Sequence, residues 1–107
     1  MILIKKIKMK AGEFKKNLNK LDKNWKLVDN KLQINFEFKS FKKAFEFMQE
    51  IAVQSEILNH HPLWTNDYNK LEIKLYTHDK GRITELDFKL AKIIDDKLYL
   101  LKWKKGY

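Results

Sequence analysis

The chain has 107 residues, 44% of them hydrophobic and 13% aromatic, which suits one domain over residues 1–107 and leaves no room for a second. It has no cysteine, which excludes disulfides, thiolate zinc sites and cysteine nucleophiles and points to a cytoplasmic setting. The net charge of +9 invites a nucleic-acid partner, yet among 23 basic residues only Arg82 is arginine, the residue suited to bidentate reading of bases and phosphates.

The lysines are spread over the whole chain and describe a solvated surface, so nucleic acid is not the expected partner. At the N-terminus Ile2, Leu3 and Ile4 run straight into Lys5 and Lys6, too short an apolar stretch for a signal peptide. No apolar run approaches membrane-spanning length, so no membrane partner is expected. A domain this small gains stability by self-association.

From Glu13 to Asp22, Phe14, Leu18 and Leu21 recur at helical spacing. Trp25 to Val28 reads as a strand, and Asp29-Asn30 suits a tight hairpin turn because both tolerate positive φ. Lys31 to Lys39 alternates, with Leu32, Ile34, Phe36 and Phe38 on one face and polar residues on the other: a strand with one face buried and one wet. Ser40 is a good N-cap for a long helix from Phe41 to about Leu58, whose stripe is Phe41, Ala44, Phe45, Met48, Ile51, Ala52, Ser55 and Leu58. Phe47 and Val53 lie off that stripe, where they either touch a partner subunit or stand exposed, the commoner case. Pro62 pushes His61 into an extended conformation. Leu63 to Asn66 adds a short strand, and Tyr68 to Thr77 alternates as another half-buried one. A last helix starts at Thr84, with Asp87 three residues on in a variant capping box, and buries Leu86, Leu90, Ile93, Ile94, Leu98 and Leu101. The order predicts an α+β fold, an antiparallel sheet with helices on one face.

All three histidines fall in two loops at element ends: His60 and His61 after the long helix, His78 after a strand. Loops held by a rigid scaffold are where functional side chains concentrate, and imidazole moves protons near neutral pH. Trp64 and Tyr76 offer an aromatic wall for a flat heterocycle. Three readings compete. A zinc site from three His and a carboxylate is weakened because adjacent extended residues point apart, so no metal is expected. Ser40 and Ser55, the only serines, sit in no nucleophile elbow. Histidines that merely cap element ends are the bland alternative for any one of the three.

The string Glu56-Ile57-Leu58-Asn59-His60-His61-Pro62-Leu63-Trp64, then Tyr68-Asn69-Lys70, Thr77-His78-Asp79, Ile83-Thr84 and Asp87 resembles the pterin-4a-carbinolamine dehydratases over about Glu13 to Ala91. The resemblance implies a four-stranded antiparallel sheet with about three helices on one face. It implies loss of water from a 4a-hydroxy-tetrahydropterin to give the quinonoid dihydropterin, in pterin cofactor recycling, with no metal or organic cofactor. It implies a homodimer or homotetramer. His60 and His78 would carry the proton transfers, with acid and base unassigned, and His61 would bind the pterin and share that role. Asn59, Trp64, Tyr76, Thr77 and Asp79 would line the substrate site, and Glu56 and Asp87 would orient histidines, Asp87 being equally readable as a helix cap. The alternative is a non-catalytic dimerisation or coactivator module, since some relatives act that way. Arg82 stands where many members have glycine; Gly81 beside it is available to absorb the positive φ.

Overall fold

The computed structural model describes residues 11–103, so the basic N-terminal stretch discussed above lies outside the described residues. Helix α1 (Ala11–Asn19) leads to β1 (Lys26–Val28) and β2 (Lys31–Glu37), helix α2 (Phe41–Leu58), β3 (Leu63–Asp67), β4 (Lys70–Leu75) and helix α3 (Glu85–Trp103). The strands form one antiparallel sheet in the order β1-β2-β4-β3, an α+β architecture as expected.

The alternation in β2 and β4 decides which face of the sheet is dry. Leu32 stands opposite Leu75 and Ile34 opposite Ile73, and all four are buried. Their neighbours Gln33, Asn35, Glu72 and Lys74 pair on the other face, which keeps contact with water. The dry face receives α2 through Ala44, Phe47 and Ile51, and α3 through Leu90, Ala91 and Ile94. Each large side chain so buried contributes about 1.5–3 kcal/mol.

The turns follow the residue types. Asp29 and Asn30 both take positive φ (49° and 63°), as a two-residue hairpin of this hand requires. Gly81 takes φ 65°, which leaves Arg82 unstrained. Ser40 caps α2, its hydroxyl accepting from the Lys43 N–H at 3.1 Å.

Four expectations need correction. The phase of α2 is rotated: Phe47 is core at 1% exposure, while Phe41 and Phe45 stand 46% exposed and stack on each other at 5.8 Å. Apolar residues cover more than half the circumference of this helix, so two stripes competed, and the sheet selects the one through Ala44, Phe47, Ile51 and Ser55. In α3, Phe88 and Ala91 are buried, whereas Leu86, Ile93 and Leu101 are only partly so. The strand expected over Tyr68 to Thr77 starts at Lys70, because Tyr68-Asn69 is the β3–β4 turn, with Tyr68 at φ 54°. Asn66 holds that turn, its side-chain amide donating to the Tyr68 and Lys70 carbonyls, both at 3.0 Å. Finally, α1 ends at Asn19 rather than Asp22; the chain turns there so that Asp95 on α3 can accept the Asp22 N–H at 2.8 Å and the Trp25 indole N–H at 2.7 Å. No helix among the described residues is long and apolar enough to cross a membrane.

Candidate active site

Asn59 ends α2 in the left-handed conformation (φ 51°, ψ 44°), and its N–H reaches the Glu56 and Ser55 carbonyls. That reversal sets the next two side chains on opposite courses. His60 turns inward and is 8% exposed; His61 turns out to solvent and is 55% exposed on its side chain. The residue before a proline is held extended, which fixes His61 there.

The inward histidine meets Asp87, in the first turn of α3. His60 Nε2 lies 2.5 Å from Asp87 Oδ1, and Asp87 is wholly buried. The second carboxylate oxygen accepts the Thr84 N–H at 2.8 Å and the Thr77 hydroxyl at 2.7 Å. The Thr84 hydroxyl caps the same helix end by accepting the Leu86 N–H at 3.3 Å. A carboxylate only accepts, so Thr77 donates to Asp87, and Thr84 in turn donates its hydroxyl proton to Thr77 across 2.7 Å. Asp87 is therefore a helix cap and a histidine partner at once. Its acceptor role puts the His60 proton on Nε2 and leaves Nδ1 unprotonated in the neutral ring, with no hydrogen bond among the described residues.

This network also ties the two histidine loops together. Thr77 follows β4 by two residues, and His78 is the next residue along. The backbone of His78 thus lies one residue from the cluster that holds His60. The His78 ring is exposed and meets Tyr76 edge-on at 5.4 Å between centroids. Lys31 places its Nζ 4.8 Å from the Tyr76 ring centre, a contact that chain-order reading missed, although Lys31 starts β2 and Tyr76 comes just after the neighbouring β4.

The remaining residues are distributed as follows. Glu56 Oε2 pairs with His61 Nε2 at 2.5 Å, both exposed, so the pair adds little stability. Asn59 contributes its backbone turn. Trp64 lies on the edge strand β3 opposite Ile73 and packs, half-buried, against the core. Asp79 is exposed in the turn after β4, with no side-chain bond among the described residues. Thr84 was not anticipated as part of the cluster; its spacing to Asp87 signalled a cap and nothing more. Among the described residues no three histidine, aspartate or glutamate side chains are grouped to hold a metal ion. A groove of about 500 Å³ runs between α1, the end of α2 and α3, floored by Leu21, Leu58, Phe88 and Ile93; it contains none of the histidines.

What the cluster can do follows from its make-up. One imidazole is buried and held in one tautomer by a carboxylate, and two more are solvent-facing on the adjoining loops, an arrangement that offers ring nitrogens to accept and donate protons.

Comparison with known proteins matches residues 7–97 to the family model described as pterin 4 alpha carbinolamine dehydratase. A relative from Prochlorococcus marinus, named "Putative pterin-4-alpha-carbinolamine dehydratase", is 47% identical over 88 residues, covering 82% of this chain and 92% of its own. One of the same name from Rhizobium meliloti is 44% identical over 90 residues, covering 82% and 86%. A crystal structure described as a transcriptional coactivator/pterin dehydratase from Brucella melitensis superposes with a TM-score of 0.77 at 38% identity, over 82% of this chain and 95% of that one.

Proposed function

The chain belongs to the pterin 4 alpha carbinolamine dehydratase family, and from that premise we propose that it dehydrates a 4a-hydroxy-tetrahydropterin to the quinonoid dihydropterin, in recycling of a pterin cofactor. The observation that carries this reading is Asp87, which bonds His60 from one loop and Thr77, the neighbour of His78, from the other.

The reaction is redox-neutral and needs only proton traffic. A general acid protonates the C4a hydroxyl, the C4a–O bond breaks as the N5 lone pair closes the C=N bond, and a base removes the N5 proton; water leaves. His60 and His78 carry these two transfers. Asp87 holds His60 in the tautomer with a free Nδ1, so that this nitrogen takes or delivers the proton. His61, exposed and braced by Glu56, contacts the pterin and shares the role. Tyr76 and Trp64 supply aromatic surface, and Asn59, Thr77 and Asp79 line the site through loop backbone. One proton is given and one is taken, so the total on the two histidines is unchanged, and the pair resets by exchanging a proton through solvent.

The enzyme works as a homodimer or homotetramer in the cytoplasm. Support for assembly comes from the stacked, half-exposed Phe41 and Phe45 on α2 and from the outer edge of β3, which pairs with no strand among the described residues and where Leu63 is 51% exposed. The same exposed helix face favours a second reading, a dimerisation or coactivator module, and the Brucella neighbour's description joins both activities. The deciding experiment follows the decay of a freshly generated 4a-hydroxypterin by stopped-flow absorbance. The dehydratase reading expects the decay to accelerate in proportion to protein concentration. An unchanged decay, together with a stoichiometric protein partner, would leave the module.

A further inference from the structure

The turn that carries His78 contains a donor that the proton-transfer cluster leaves unexplained. The Arg82 Nε is buried without a hydrogen-bond partner among the described residues, and Nη1 donates to the exposed Lys80 carbonyl at 3.2 Å. A buried donor left unmade is costly, and an exposed bond of that length returns little. The residue as a whole is only partly buried, so the guanidinium can swing towards solvent. It is also the chain's single arginine against an otherwise all-lysine basic complement, and guanidinium differs from ammonium in offering a planar fork to an oxyanion.

Its position bears on the substrate site. Arg82 bridges Thr77, which donates its N–H to the Arg82 carbonyl at 3.0 Å. Residues directly opposite in such a pair send their side chains to the same face, and that of Thr77 points at Asp87. The Gly81 N–H reaches the His78 carbonyl at 3.1 Å, so Arg82 and His78 share one tight turn. Around this turn stand Lys80, Lys31 over Tyr76, and Arg82 itself, against the carboxylates of Asp79 and, beneath Thr77, Asp87. The surplus is positive.

We propose that Arg82 is a specificity-determining residue that binds a phosphate carried on the side chain of the pterin. The inference rests on the dehydratase reading above and names its substrate class. On binding, the guanidinium releases the Lys80 carbonyl and aims Nε and one Nη at two phosphate oxygens, which satisfies the donor unpaired in the free protein. A phosphomonoester carries about −1.5 to −2 charges at neutral pH, a sign that the local positive surplus favours.

The test uses two oxidised, unreactive pterins with the same side chain, one ending in a hydroxyl and the other in a phosphate monoester, titrated into the full-length protein at fixed ionic strength. With one arginine in the sequence, the ¹⁵N spectrum holds a single arginine Nε–Hε peak, so the residue reports on itself. The phosphorylated pterin should bind at least about tenfold more tightly and move that peak. Arg82→Gln should bring the ratio of the two affinities close to one, and Arg82→Lys should keep part of it. Equal binding of the two pterins by the unmodified protein, or a ratio that survives Arg82→Gln, overturns this inference while the dehydratase reading stands. Failure of both pterins to bind overturns the two together.

Discussion

Replacing Asp87 by Asn separates the two jobs of that residue. The Thr84 N–H is a backbone donor with no alternative, so the Asn carbonyl oxygen must face it and the Thr77 hydroxyl. The amide NH₂ then faces His60, where a carboxylate oxygen accepted at 2.5 Å. A donor there forces His60 Nε2 to accept, and the ring proton moves to Nδ1. The fold keeps its cap while Nδ1 changes from acceptor to donor. Exchanging a charge-assisted bond in a buried site for a neutral one should cost about 1–3 kcal/mol, which for a domain of this size lowers Tm by roughly 5–20 °C. Dehydration should fall much further, by about 10²–10⁴, the range for losing a positioned acid–base group or its tautomer. Stopped-flow decay of the 4a-hydroxypterin gives the rate, and imidazole ¹⁵N shifts give the tautomer directly. A folded variant with an Nδ1-protonated His60 and a rate within threefold of the parent would refute the reasoning.

Phe47→Ala should cost about 3–5 kcal/mol in urea denaturation, whereas Phe45→Ala, already half exposed, should cost far less; equal losses would restore the other helix phase. Gly81→Ala should destabilise by about 1–2 kcal/mol through backbone strain alone, because the new Cβ would meet only the Tyr76 hydroxyl, at 3.9 Å; Gly81→Asn should be milder, since Asn tolerates this conformation. Burial pushes the Asp95 carboxyl above the ordinary aspartate value of 3.8, with the Asp22 N–H and the Trp25 indole pulling it part of the way back. A carboxyl raised by folding contributes most below its ordinary pKa and loses that contribution as pH climbs through the raised value. The stability of the parent relative to Asp95→Asn should therefore fall with rising pH over that window and then level off; a difference that grew with pH would contradict the assignment.

The sheet was readable because its signals are local. Alternation over Lys31–Lys39 names the dry face, and Asp29-Asn30 names the turn. The helix phase of α2 was not, since Phe41, Phe45 and Ala52 continue a helical period as well as Phe47 does, and only the shape of the sheet beneath chooses between them. The β3–β4 turn was hidden for a related reason: Tyr68 is a strand former by type and adopts positive φ only because Asn66 and the hairpin hold it there. At the candidate site, the Thr84…Asp87 spacing revealed a cap. That the same carboxylate would meet His60, 27 residues away, depends on how the first turn of α3 packs against the end of α2. Likewise the opposite exposures of His60 and His61 come from the left-handed turn at Asn59, which residue type permits without requiring.

Dehydration rates of His60→Ala and His78→Ala, measured side by side with the parent on one preparation of 4a-hydroxypterin, test the two-loop site most directly. Both changes should slow turnover by at least about a hundredfold while leaving the proteins folded. Parent-like turnover in either variant would mean that the loops joined through Asp87 and Thr77 do not work as one proton-transfer site.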